Sequence, residues 1–117
     1  GRVLATAMIG LSGESDYDLI EGAWLTRFRS DDPGYAVVHR VAVDAGALGR
    51  GVASFLLSCA EDVSRDGGVA SVRIDTHPGN KPMRRLLEKT GFAQCGTIYI
   101  AHAEGGVPER IAYEKLV

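Results

Sequence analysis

Between Ala36 and Asp75 the hydrophobic period changes twice, and this constrains the fold more than any other feature of the chain. Ala36-Val37-Val38-His39-Arg40-Val41-Ala42-Val43 is a β-branched run of the kind that suits a pleated surface. A small, glycine-rich stretch from Ala45 to Gly51 follows. Then Val52, Leu56, Cys59, Ala60 and Val63 recur at helical spacing, with Glu61, Asp62 and Arg65 on other faces. Asp66-Gly67-Gly68 ends that helix. Alternation returns from Val69 to Asp75, where Ala70, Val72 and Ile74 interleave with Ser71, Arg73 and Asp75. Two strands joined by a crossover helix in one sheet run parallel.

The flanking segments extend this unit in both directions. Arg2 to Ile9 alternates as a strand, with Val3, Ala5, Ala7 and Ile9 on one face. Gly10 to Asp18 has loop composition, and Ile20 to Phe28, carrying Trp24, Leu25 and Phe28, reads as a second strand interrupted by Gly22. Asp31-Asp32-Pro33-Gly34 is a turn. After His77-Pro78-Gly79, Asn80 is an N-cap for a second helix with Pro82 in its first turn and Met83, Leu86 and Leu87 as its apolar stripe. Gly91 suits a left-handed closing position, with Phe92 packing back on Leu87. Thr97–His102 and Glu109–Leu116 read as a hairpin through Glu104-Gly105-Gly106. The order is β-β-β-α-β-α-β-β: one mixed α/β domain of 117 residues, a length that buries one core.

Charge excludes some functions. With 13 basic and 15 acidic residues interspersed, no block of Lys or Arg offers the footprint of a nucleic-acid binder. Apolar runs are too short to cross a membrane, and no secretory signal opens the chain. Cys59 and Cys95, among small and apolar neighbours, read as buried free thiols of a cytoplasmic protein, a disulfide being the weaker alternative.

Chemistry points to the join between strand and helix. Glycines let a backbone approach a pyrophosphate closely, and the first turn of a helix offers unpaired N–H groups and a favourable dipole. Gly49-Arg50-Gly51-Val52-Ala53 has this form, with Arg50 at the rim. A Gly-x-Gly before a helix also occurs as a plain tight turn, so these residues alone leave both readings open.

The wider pattern resembles the GNAT superfamily of N-acetyltransferases. The resemblance rests on His39-Arg40-Val41-Ala42-Val43, Gly49-Arg50-Gly51-Val52-Ala53, Asp75-Thr76-His77, Asn80 and Gly91-Phe92 in that order. It implies a GNAT-like fold whose strand at Ala36–Val43 splays from the one at Val69–Asp75. The pantetheine arm of acetyl-CoA would enter that gap against Val41, Ala42 and Val43, with Asn80 and Met83 alongside. The pyrophosphate would rest on backbone N–H groups of Leu48, Gly49, Arg50, Gly51, Val52 and Ala53. Two departures stand out: Gly46 replaces the family's Arg or Gln, and Leu87 replaces the Tyr that many members use as general acid.

The expected activity is direct transfer of acetyl from acetyl-CoA to a primary amine of a small molecule, without metal. Alternatives are N-terminal acetylation of proteins and a CoA-binding module without turnover. His39 is the candidate base, on the same strand face as Val41, and its other reading is a strand histidine bonded across the sheet. Tyr99 can supply an acid from the hairpin or be core. Thr76 and His77 leave a strand end where open sheets place ligands, although a turn histidine is common. His102 has no special claim. The Val41 N–H is the candidate oxyanion donor. Family members begin with a strand and two helices that wall the acceptor pocket, so the chain reads as truncated or completed by a partner. The exposed sheet that truncation leaves would invite a homodimer.

Overall fold

The computed structural model describes residues 5–44, 46, 51–101 and 106–117. Six strands form one mixed sheet: β1 (Ala5–Gly10), β2 (Glu21–Gly22), β3 (Tyr35–Val43), β4 (Ser71–Thr76), β5 (Ala93–Tyr99) and β6 (Glu109–Leu116). Their spatial order is β1-β3-β4-β6-β5-β2. The two helices are α1 (Val52–Asp66) and α2 (Lys81–Lys89). As the crossover requires, β3 and β4 are parallel, and the other named pairs are antiparallel.

Both helices pack on one face of the sheet. Val38, Val72, Ile74, Ile111 and Tyr113 meet Leu57, Ala60, Leu87 and Phe92 there. The buried stripe of α1 runs through Leu57, Ala60 and Ser64, while Val63, expected inside, is half exposed. Ser64 can be buried because its hydroxyl donates to the Ala60 carbonyl, 2.7 Å away. Asn80 caps α2 as expected, its Oδ1 accepting from the Met83 N–H. Gly91, at φ 95°, closes α2, and the Phe92 and Gly91 N–H groups reach the Leu87 and Glu88 carbonyls. Leu87 is fully buried, so its identity follows from packing.

The opposite face is covered by the segment between β1 and β3. Ser15–Leu19 is a 3₁₀ turn rather than open loop, and it buries Tyr17 against Tyr35, Val37, Ile98 and Ala112. The strand expected over Ile20–Phe28 is reduced to Glu21–Gly22. Its remaining N–H groups have a different acceptor: Leu25 and Thr26 both donate to Oε1 of Glu114, at 2.6 and 3.1 Å. Glu114 and Arg73 form an ion pair of 2.9 Å with both side chains fully buried. The Arg73 guanidinium lies between the rings of Trp24 and Tyr35, 4.3 and 3.9 Å from their centroids. The polar half of the β4 alternation therefore supports a buried polar network that fastens the covering segment to the sheet. Cys59 and Cys95 are free and half-buried. No helix among the described residues is long and apolar enough to cross a membrane.

Candidate active site

The site is where β3 stops pairing with β4. The parallel register runs from Tyr35 beside Ser71 to Val38 beside Ile74 and then ends. Asp75 and Thr76 continue in β4 by pairing with Ala112 and Ile111 of β6. His39 to Val43 continue in β3 by pairing with β1. A bulge explains the divergence. Thr6 lies opposite Ala42 and Met8 opposite His39, so β3 spends one more residue than β1 on the same span. Arg40 takes up the difference at φ 53°, the one positive φ among described non-glycine residues. From His39 onward no described residue pairs with the edge of β3 that would face β4.

A cavity of about 140 Å³ occupies this gap, lined by Val38, His39, Arg40, Val41, Ile74, Asp75, Thr76, Asn80 and Met83. The lining has two sides. Val38, Ile74 and Thr76 belong to the helix face, where Asn80 and Met83 of α2 stand. Val37 and Arg73 are register partners on the other face. Two residues on, His39 and Asp75 share that second face on either side of the gap.

Asp75 is the residue that sequence reasoning quoted in a motif without assigning a role. Its Oδ2 accepts the Tyr17 hydroxyl at 2.6 Å, across 58 positions of sequence. Burial pushes the Asp75 carboxyl above its ordinary range, against the lowering effects of the Tyr17 hydrogen bond, His39 and Arg110. Burial and the neighbouring Asp75 charge hold Tyr17 well above its usual value, so it keeps its proton. Neither residue carries a motif that would reveal this contact from the sequence.

Other expected site residues are less gathered. His77 is exposed, and its Nδ1 accepts from the Gly79 N–H at 3.0 Å, outside the cavity lining. Tyr99 is a correction: it is neither core nor at the gap. It lies on β5, with β6 between it and β4, is 47% exposed, and donates to Glu21 Oε2. Leu48, Gly49, Arg50 and His102 lie outside the described residues.

What remains of the glycine turn still fits a phosphate group. Gly51 caps α1 at φ 73°, and a Cβ built there would meet nothing within 4 Å. Among the described residues no side chain caps this end and no acid stands in the first turn, so the N–H groups of Val52 and Ala53 have no described acceptor. Among the described residues, the unpaired edge of β3 and the uncapped N-terminus of α1 thus suit the arm and the pyrophosphate of acetyl-CoA. No group of three or more His, Cys, Asp or Glu among the described residues is arranged to hold a metal.

Residues 2–92 match the acetyltransferase (GNAT) family, and the chain belongs to that family. A mycothiol acetyltransferase of Beutenbergia cavernae is 33% identical over 95 residues, covering 81% of this chain and 30% of the relative. A GNAT family acetyltransferase structure from Streptococcus agalactiae superposes with a TM-score of 0.78 at 29% identity, covering 97% of this chain and 59% of that one. A ribosomal-protein-alanine N-acetyltransferase from Brucella melitensis shares the fold, with a TM-score of 0.72 at 20% identity, over all of this chain and 64% of that one. The chain is therefore shorter than two thirds of each of these proteins.

Proposed function

We propose that this chain binds acetyl-CoA along the gap between β3 and β4 and transfers its acetyl group to a primary amine of a small molecule. The observation that carries this reading is the end of pairing at Val38–Ile74, which leaves one edge of β3 without a described strand partner, beside which stands an α1 N-terminus with no side-chain cap among the described residues. Val41, Ala42 and Val43 supply backbone groups to the arm, and Asn80 and Met83 its side wall. Gly51, Val52 and Ala53, with Leu48, Gly49 and Arg50 before them, supply the anion site. Gly46 in place of a longer polar residue leaves that site to backbone donors. His39 lines the gap on the face opposite the helices and is the base in this reading.

A CoA-binding module without turnover has one observation in its favour. Leu87 holds the helix position where many relatives carry an acid, and it is sealed in the core.

Calorimetric titration with acetyl-CoA tests the binding step, with Gly49→Glu, Gly51→Glu as control. Micromolar binding that disappears in the control is the expected result; equal binding by both removes the glycine turn from the site. Release of free thiol from acetyl-CoA on adding amines separates the enzyme from the binding module.

A further inference from the structure

We infer that the groove walled by Trp24, Arg27 and Phe28, on the sheet face opposite the helices, is a binding site for a small aromatic carboxylate. The inference is separate from the acetyl-transfer reading and stands or falls without it.

The segment that covers this face encloses a cavity of about 550 Å³, larger than the gap and within the size range of small-molecule sites. Trp24, Leu25 and Phe28 bring large apolar side chains to its lining within five positions of chain. Leu25 and Phe28 are exposed and Trp24 is half-buried. Apolar surface gathered in one concavity, rather than scattered, marks a ligand groove. These side chains are also held in place. The Trp24 indole N–H donates to the Tyr17 carbonyl at 2.9 Å, and the Leu25 N–H is held by Glu114. A Cβ at Gly34 would lie 2.5 Å from the Phe28 ring, so that ring is seated directly on the Gly34 backbone. The wall is therefore built before a ligand arrives.

Charge selects the ligand. The lining contains two guanidinium groups, Arg27 and Arg29, and one carboxylate, Asp18. That carboxylate is already engaged: Ser30 donates to Oδ1 through its N–H and to Oδ2 through its hydroxyl. Burial pushes the Asp18 carboxyl up, but the Ser30 hydrogen bonds and the Arg29 and Arg73 charges outweigh it and leave the value below the ordinary one. Behind the wall, Arg73 stacks on Trp24 and donates from Nη2 to Thr26, while its Nη1 is buried with no partner. Glu114 matches the Arg73 charge, and Asp18 lies 3.8 Å from Arg29. Arg27 is left as the unmatched cation, exposed and without a hydrogen bond or ion pair among the described residues. A carboxylate takes the two parallel N–H groups of a guanidinium, and an aromatic ring on the same molecule meets Trp24, Leu25 and Phe28. A small inorganic anion would leave the apolar wall wet, and a cation would meet Arg27 as a like charge.

The groove is distinct from the gap, since the two share no lining residue. Tyr17 stands between them, lining the groove and donating its hydroxyl to Asp75 at the gap.

Trp24 is the single tryptophan of the chain, so its fluorescence reports on the groove directly. The full chain is titrated with phenylacetate, with phenylacetamide as the uncharged isostere and acetate as the anion without a ring. Phenylacetate is expected to change the Trp24 emission saturably at millimolar concentration or below, as its size allows. The Trp24 indole N–H resonance, followed in the same titration, detects binding that leaves emission unchanged. Phenylacetamide should bind at least about tenfold more weakly, the scale of one hydrogen bond to a charged group, and acetate should give no response. Arg27 is exposed, so Arg27→Gln should keep the parent's Tm and bind the acid no better than the amide. Phe28→Ala should weaken acid and amide alike. Addition of acetyl-CoA should leave bound phenylacetate in place.

No saturable response to phenylacetate, equal binding of acid and amide, or undiminished binding by Arg27→Gln would overturn the assignment. Displacement by acetyl-CoA would also overturn it, by making the groove part of the cofactor's site. A Trp24 signal that changes with protein concentration alone, matched by a dimer in sedimentation, would do the same, because a second copy would then fill the groove. Failure of acetyl-CoA to bind counts against the acetyl-transfer reading alone and leaves the phenylacetate titration to decide this one.

Discussion

Arg73 and Glu114 approach to 2.9 Å in the fully buried middle of the sheet, and the carboxylate also accepts from Ser71, Thr26 and the Leu25 N–H. Removing one partner leaves the other charged and without water. Arg73→Leu is therefore expected to cost about 3–5 kcal/mol, the range for breaking a buried ion pair. Urea denaturation measures it, and a loss under about 1 kcal/mol would show that the network contributes little. Burial pushes the Glu114 carboxyl up, but hydrogen bonds from Ser71, Thr26 and Arg73 outweigh it and leave the value below the ordinary one. The stability linked to Glu114 is thus present above its unfolded pKa and lost as pH falls through the folded one.

Asp75 has the opposite sign. Its folded value is raised, so the stability it contributes is present below the unfolded value and lost as pH rises through the folded one. Asp75→Asn should raise Tm at pH 7, and the gain should vanish well below the carboxylate range. Calorimetric scans across that range decide it; a lower Tm at pH 7 would mean that the charge is fully compensated in the fold.

Asn80 has two roles that can be separated. Its Oδ1 caps α2, while its amide NH₂ makes no hydrogen bond among the described residues and sits at the gap. Asn80→Ser keeps a capping oxygen and removes the amide donors. The expected outcome is weaker acetyl-CoA binding with stability within a few tenths of a kcal/mol of the parent, against about 1 kcal/mol lost in Asn80→Ala. Matched calorimetric and thermal measurements on both variants check this.

Gly96 and Gly22 allow β5 and β2 to touch backbone to backbone. A Cβ at Gly96 would overlap the Glu21 carbonyl, and its φ of 155° also disfavours side chains. Gly96→Ala should cost about 1–3 kcal/mol in strain and detach β2 first. Hydrogen exchange at Ala23, whose N–H donates to the Cys95 carbonyl, would report the detachment.

The sequence carried the parts of this fold that depend on neighbours. The β3–α1–β4 unit, the Asn80 cap and the Gly91 closure each follow from residues a few positions apart. Failures came where a distant residue intervened. Ile20–Phe28 has strand composition, yet Leu25 and Thr26 donate to a carboxylate 89 and 88 positions away. Ser71 and Arg73 resemble the solvent side of a strand, yet both bond the buried Glu114 and the Arg73 guanidinium lies over the rings of Trp24 and Tyr35. The site divides in the same way. Strand, cap and apolar-stripe patterns place His39, Asn80 and Met83 in the fold, and only the family resemblance suggested a cofactor role for Asn80 and Met83, whereas the Tyr17–Asp75 contact depends on a 3₁₀ turn folding back over the sheet.

The bulge at Arg40 gives chain length a role here that residue identity does not have. With one residue fewer between Val38 and Val43, β3 could match β1 without a bend and continue alongside β4, zipping Asp75 into an ordinary ladder. Every lining side chain would survive such a deletion except Arg40, and there would be no gap for them to line. The spacing from Val38 to Val43 acts as a ruler, and a one-residue error in it closes the door that substitutions would only reshape.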